Sequence, residues 1–424
     1  MRSVTPICLA LGAVLSISTP AEAGSWKRST TLQGAFAVSS PPEAPVVAVN
    51  ARGHAVSVWA DTGDIRYSDR SALGLWSRSA RVRTDALGGP AAVAIGPDET
   101  TAVAWVTVAT RYVPSKLLVS VRPPGGTFGV PFELAPGTAV GNFDLGITAA
   151  GAVHAVWQDA SGVEARMGSA TGVWSAVTRL SDPAVGAAAP DLKVDDAGDA
   201  VVAWLQGASG GASAVGAAYL HAGGTWEPPV IVSSGSGQTL WNPIAALDVS
   251  GDAAIGYLDG TQMVVATRLL AGPWSAARRV SGVSQVVYYP ALAVDDAGEL
   301  LAAWQVLDAS NNGAIWISTG LIGGTWTTPG RLSARTESAG WPTATFSRDG
   351  TVAAIAWVDD LGLSARVAIG KPGAPWLWTK AIVGTGSWGS IVPVEANGGV
   401  VAASWATQLQ SNPNAALILG RAWE

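Results

Sequence analysis

The sequence predicts an all-β fold, an eight-bladed β-propeller of four-stranded antiparallel blades, and three observations predict it. The first is a repeat. Eight times a short apolar strand leaves a Gly-containing turn and climbs to an aromatic anchor, at Trp59, Trp105, Trp157, Trp204, Tyr257, Trp304, Trp357 and Trp405. Neighbouring anchors stand 46, 52, 47, 53, 47, 53 and 48 residues apart. A period near fifty filled with strand-like segments marks a repeat architecture. The second is a further aromatic series, Trp26, Trp76, Phe128, Trp174, Trp226, Trp274, Trp326 and either Trp376 or Trp378, each opening the last strand of a unit. The third is the order of these markers at the two ends. Trp26 opens a fourth strand with none before it, and Ala415 to Trp423 reads as a third strand with none after it. The N-terminal strand is therefore expected to complete the last blade and close the ring, which removes the open sheet edges of an all-β chain.

Each unit divides into strands a to d. In the fourth, Pro190 to Val194 reads as a, Ala200 to Trp204 as b, Ala214 to His221 as c and Trp226 to Ser233 as d. The a–b turns recur as Asn50-Ala51-Arg52-Gly53, Asp195-Asp196-Ala197-Gly198, Asp295-Asp296-Ala297-Gly298 and Ser347-Arg348-Asp349-Gly350. Gly in last place supplies positive φ, and Asp or Asn stabilises the turn locally. These turns lack the spaced oxygen ligands of a calcium loop. Units alternate in length. The four short ones carry Asp two residues after the anchor (Asp61, Asp159, Asp259 and Asp359), which reads as a turn cap and makes the chain look like four copies of a two-blade unit.

Composition narrows the function. Only 13% of the 424 residues are charged, with a net charge of -6, and no Lys/Arg cluster occurs. Low charge with high hydrophobicity excludes disorder, and the missing basic patch argues against a nucleic-acid partner. Residues 1–23 read as a cleavable signal peptide: Arg2, the apolar run Ile7 to Ile17, then Ala21-Glu22-Ala23. That run is shorter than the roughly 17–25 residues of a membrane span. Residues 24–424 are expected to form one secreted domain, extracellular or periplasmic, monomeric, and not inserted in a membrane. Cleavage removes Cys8, the single cysteine, so packing alone holds the mature protein.

Geometry places the b–c and d–a loops on one face, where several repeats converge on the mouth of the ring. Most of the 20 Trp belong to the two repeating series and read as framework. Trp241, Trp341 and Trp388 instead precede strand a, and Tyr288-Tyr289 fills the same slot between them, so four consecutive units offer an aromatic at one mouth. A flat ring with a polar edge stacks on the apolar face of a sugar. Trp241, Tyr289, Trp341 and Trp388 are thus the candidate ligand-binding residues, with plugging of the channel or packing on Pro243, Pro290 and Pro342 as the alternative.

Catalytic signals are weaker. His54, His154 and His221 lack metal-ligand spacing, no G-x-S-x-G elbow occurs, and no metal or cofactor is expected. Asp85, Asp144, Asp182 and Glu337 lie on the favoured face, Arg335 beside Glu337. A suitably separated pair of acids there could hydrolyse a glycoside, which makes Glu337, Asp182 and Asp85, with Arg335, the catalytic candidates.

The c–d turns Gly223-x-Thr225-Trp226, Gly323-x-Thr325-Trp326 and Gly125-x-Thr127-Phe128 resemble the tail of the Asp-box (BNR) repeat, Ser-x-Asp-x-Gly-x-Thr-Trp, of sialidase-like β-propellers. His221, Leu321 and Pro123 stand at its Asp, and Tyr219, Thr319 and Val121 at its Ser. Sialidases of that superfamily use an arginine triad, a Tyr–Glu pair and an Asp acid on six blades. None of these maps residue by residue onto this chain, and its eight units depart from six. The chain is also similar to secreted propeller lectins, whose inter-blade aromatics help to hold sugars. The expected function is therefore non-catalytic binding of a glycan or cell-surface polymer. A sialidase-like glycoside hydrolase and a protein-interaction scaffold using the long b–c hairpins are the alternatives.

Overall fold

The computed structural model describes residues 30–37, 45–61, 63–72, 74–83, 88–107, 115–136, 140–207, 214–233, 240–359, 364–370, 394–397, 400–409 and 412–423. The signal segment, Trp26, Asp85, Trp376, Trp378 and Trp388 lie outside them.

Among the described residues every regular element is a strand, arranged as seven four-stranded antiparallel sheets and one three-stranded sheet. The first sheet is Val46–Val49, Ala55–Asp61, Asp64–Arg70 and Ala80–Arg83, and the second Gly88–Ile95, Thr101–Thr107, Leu117–Arg122 and Phe132–Glu133. The third is Phe143–Ile147, Val153–Asp159, Gly162–Gly168 and Thr178–Arg179, and the fourth Ala187–Val194, Ala200–Gln206, Ala214–Leu220 and Val230–Ile231. Leu240–Leu247, Ala253–Asp259, Gln262–Arg268 and Arg278–Arg279 make the fifth, and Val287–Val294, Glu299–Leu307, Gly313–Leu321 and Gly330–Arg331 the sixth. The seventh holds Ala339–Phe346, Ala353–Asp359 and Ser364–Gly370, and the eighth Val394–Asn397, Val400–Leu409 and Asn412–Trp423. Thr30–Ala37 pairs antiparallel with Asn412–Trp423, so the N-terminal strand forms the outer edge of the eighth sheet. Six sheets follow the order a-b-c-d of the sequence, the seventh holds a-b-c, and the eighth takes its fourth strand from the N-terminal segment. Successive a strands lie side by side, and the a strand of the eighth sheet also meets that of the first. This arrangement is that of a propeller.

The anchors explain how neighbouring sheets adhere. Trp59, Trp105, Trp157, Trp204, Tyr257, Trp304 and Trp357 are all buried, each within a cluster shared with the preceding sheet. Trp204, for example, joins Val156, Val163 and Leu180 of the third sheet to Val202 and Leu192 of its own. Trp59 packs against Leu32 of the N-terminal strand. Small residues fill the strands beside each indole, and this density allows a core without disulfides.

Strand d is shorter than the sequence suggests. In the fourth sheet Trp226 makes only an isolated bridge with Leu220, and ladder pairing resumes at Val230–Ile231. Pro228 and Pro229 stand between them and supply no N–H to the ladder, but the same gap follows Trp76 and Trp174 without a proline, so it is a feature of the repeat. The a–b turns behave as expected. Asp195 Oδ1 accepts from Gly198 N at 2.7 Å and Asp199 N at 2.8 Å, and Asn50 Oδ1 accepts from Arg52 N and His54 N. No group of His, Cys, Asp and Glu that could hold a metal ion occurs among the described residues. The turns also communicate around the axis. Arg348 of the seventh sheet forms an ion pair with Asp196 of the fourth, and Asp296 N donates to Arg348 O. These non-adjacent sheets are thus tied together on the a–b face. The Asp residues after the short-unit anchors do more than cap turns: Asp159 accepts both Ser161 N and the Trp157 indole N–H, while Asp61 and Asp359 pair with Arg66 and Arg366.

Candidate functional site

The d–a connections share a construction that positions the candidate aromatics. A serine closes strand d and accepts a backbone N–H near the start of strand c: Ser181 from Val163 N, Ser233 from Val215 N, Ser281 from Met263 N and Ser333 from Ile315 N. Strand a then begins, and a bulge interrupts its pairing with strand b. Trp241, Tyr288, Tyr289 and Trp341 therefore lie inside strand a, at this bulge, and not in loops preceding it.

The bulge also corrects their equivalence. The residue immediately before the bulge proline is Ala189, Asn242, Tyr289 and Trp341 in the fourth to seventh sheets, and each has φ between 47° and 52°. Trp241 sits one place earlier and corresponds to Tyr288. Residues before proline ordinarily take extended backbone, and left-handed φ costs an L-residue roughly 1–2 kcal/mol. Asn tolerates it best among non-glycine residues, yet Tyr and Trp occupy it here.

Tyr289 and Trp341 meet edge to face, with ring centroids 5.9 Å apart and planes at 66°. They line a cleft of about 280 Å³ on the seam between the sixth and seventh sheets, with Tyr288, Gln305, Asn311 and Val358. Tyr288 is 39% exposed and Tyr289 46%. No carboxylate is among its described lining residues. Gln305 Oε1 is buried without a hydrogen-bond partner among the described residues, an unfilled acceptor in the cleft wall. Trp241, 53% exposed, stands apart on the fifth sheet.

The acidic candidates do not converge. Asp182 Oδ1 accepts Ala184 N at 2.8 Å and caps its own exposed turn after the third sheet. Glu337 is on the seam of the aromatic cleft, but Oε1 lies 3.2 Å from Arg366 Nε and Oε2 accepts Ala334 N at 3.2 Å. Arg335 is exposed beside it. Asp144 lies on strand a of the third sheet, where burial pushes its pKa up to about 6 against the pull of Lys193. Its Oδ2 accepts Leu192 N of the next strand a, and Asp191 in turn accepts Ala245 N, so this pair stitches neighbouring sheets. His54, His154 and His221 belong to the first, third and fourth sheets; burial lowers the His154 pKa to about 4 and keeps it neutral. Arg366, Gln305, Asn311 and the bulge itself escaped the sequence reading, which named Pro243, Pro290 and Pro342 only as packing partners. A proline nine or ten residues after each closing serine, at Pro190, Pro243, Pro290 and Pro342, was the available signal of the shared bulge.

No protein-family model matches the chain, and no curated protein matches it. Among solved structures it is similar to a lectin from Burkholderia pseudomallei, at 14% identity and a TM-score of 0.58, over 81% of this chain and all of that one. It is also similar to a prolyl endopeptidase, at 12% identity and a TM-score of 0.52, over 87% of this chain and 55% of that one. The fold is a β-propeller. The chain spans about half the length of that endopeptidase. No helix among the described residues is long and apolar enough to cross a membrane.

Proposed function

We propose that the chain is a secreted eight-bladed β-propeller, closed by its N-terminal strand, that binds a glycan without catalysis at the seam between the sixth and seventh blades. The observation that carries this reading is the pair Tyr289, exposed, and Trp341, partly buried, at left-handed pre-proline positions over a cleft. Non-glycine residues held in such backbone cluster at binding and active sites, where the strain is part of the device. A ring that remains half exposed gains little packing in return. Two rings at a steep angle with amides beside them suit one sugar face and its hydroxyls. The lectin neighbour in structure is compatible with this chemistry, and the lack of a carboxylate among the described lining residues favours binding over hydrolysis.

Substitution separates function from packing. Tyr289→Asn places a residue suited to left-handed φ, already present at Asn242, and removes one wall of the cleft. Its melting temperature is expected to equal or exceed that of the parent, because about 1 kcal/mol of strain is relieved. Retention on a glycan array should fall at least tenfold, as expected from loss of an aromatic stacking face worth roughly 1.5 kcal/mol. A variant that unfolds, or one that retains every glycan the parent binds, sinks the reading.

A further inference from the structure

A second hollow of about 490 Å³ adjoins the aromatic cleft, and Leu307 and Ser338 line both. Its walls include Trp316, Asn312, Asp308, Glu337, Arg331 and Arg335. The two acids there are already engaged. Asp308 Oδ1 accepts Ser310 N and Asn312 N, its Oδ2 accepts Asn312 Nδ2, and these bonds hold its carboxyl below the ordinary range. Glu337 is held by Arg366 and Ala334 N. The arginines are less engaged, though Arg331 lies close enough to Asp308 to help lower its carboxyl. Arg331 donates Nε to Ser333 O at 3.0 Å and Nη2 to Ala334 O at 2.8 Å, both uncharged acceptors. Arg335 is exposed and makes no hydrogen bond or ion pair among the described residues.

The hollow thus offers the Arg335 guanidinium without a carboxylate partner among the described residues, and Arg331 hydrogen-bonded only to carbonyls with Asp308 as its nearby charge, beside an indole and adjoining the cleft of the aromatic pair. We propose that the ligand is an acidic glycan: one ring rests on Tyr289 and Trp341, and a carboxylate or sulfate on the adjoining residue is held by Arg335, with Arg331 behind it. This rests on the glycan reading of the same seam. A planar guanidinium pairs two N–H groups with two oxygens of either anion, a geometry that ammonium does not reproduce. The net charge of -6 repels polyanions at long range, so selectivity must come from this local contact.

The test uses the full chain and matched oligosaccharide pairs in calorimetry. One arm is oligogalacturonate against its methyl ester; the other is a sulfated carrageenan oligosaccharide against its desulfated form. In at least one arm the acidic member is expected to bind roughly tenfold or more tightly than its neutral partner. That preference should shrink in high salt, vanish in Arg335→Gln, and return only in part in Arg335→Lys. Arg335 is exposed, so Arg335→Gln is expected to keep the parental melting temperature. The arm that shows the preference identifies the anion. Equal binding of both members in both arms, or a preference that survives Arg335→Gln, overturns the inference while leaving glycan binding intact. Failure of all four probes and of the glycan array overturns both.

Discussion

Trp204→Ala is expected to lower the unfolding free energy by roughly 3–5 kcal/mol, the range for removing a large buried aromatic, as measured by denaturant titration. Trp204 is 1% exposed and sits between the third and fourth sheets, so its loss opens a void that two blades share. Gly216, its strand-c partner, faces the indole so closely that even a Cβ there would collide with the ring. The cavity cannot close by a side-chain shift at that position, because Gly216 has none. The indole N–H also donates to Gln206 Oε1 at 2.9 Å. Trp204→Phe keeps much of the packing but leaves that buried acceptor unpaired, which adds about 1–3 kcal/mol. Trp105 provides the contrast. Its indole N–H is buried with no partner among the described residues, so Trp105→Phe is expected to cost less than Trp204→Phe. Equal losses at the two sites would show that the hydrogen bond contributes nothing.

The same anchors were legible in the chain because repetition exposes a residue whose role is repeated. The a–b turn residues and the c–d glycines were legible for the same reason, and Gly223 and Gly323 take φ of 70° and 69° at their turns. The candidate site depends on breaks in repetition, and those were harder to read. Starting strand a at the proline, as at Pro190, made Tyr289 and Trp341 read as loop residues ahead of it. The structure instead places them at a bulge inside it. One residue of register separates Trp241 from that slot, and only the bulge reveals the difference. Glu337 looked free because Arg366, on strand c of the same blade, is 29 residues away in sequence and becomes its partner only through the fold. The shortened strand d recurs after Trp76 and Trp174 with no proline between bridge and ladder, so it belongs to the repeat itself and Pro228-Pro229 is no guide to it.

Asp248→Asn is expected to stabilise the protein by about 2–3 kcal/mol at pH 8 and hardly at all at pH 4. Asp248 opens the a–b turn of the fifth sheet, is 4% exposed, and accepts Ser250 N and Asp252 N through Oδ1. Burial, with nearby Asp252 and Asp296, pushes its pKa up to about 6, whereas its ordinary value is 3.8. The folded state therefore holds this proton more tightly than the unfolded chain does. Below about pH 4 the carboxyl is protonated in both states and its contribution is complete; that contribution is lost as pH rises through 6, when charge must be kept in a buried turn. The amide of Asp248→Asn keeps the Oδ1 acceptor and discards the charge. The chain already contains this solution at Asn50 in the first sheet, which makes the same two turn bonds and sends Nδ2 to Gly96 O of the next turn at 3.0 Å. Gly96 opens that next turn as Asp295 opens the one after Asp248, so the Asp295 carbonyl is the corresponding acceptor for the new amide. Chemical denaturation of both proteins between pH 4 and pH 8 isolates the effect, because the other titrating groups are common to the pair. A difference that stays flat across that range would mean the Asp248 carboxyl titrates alike in the folded and unfolded chain.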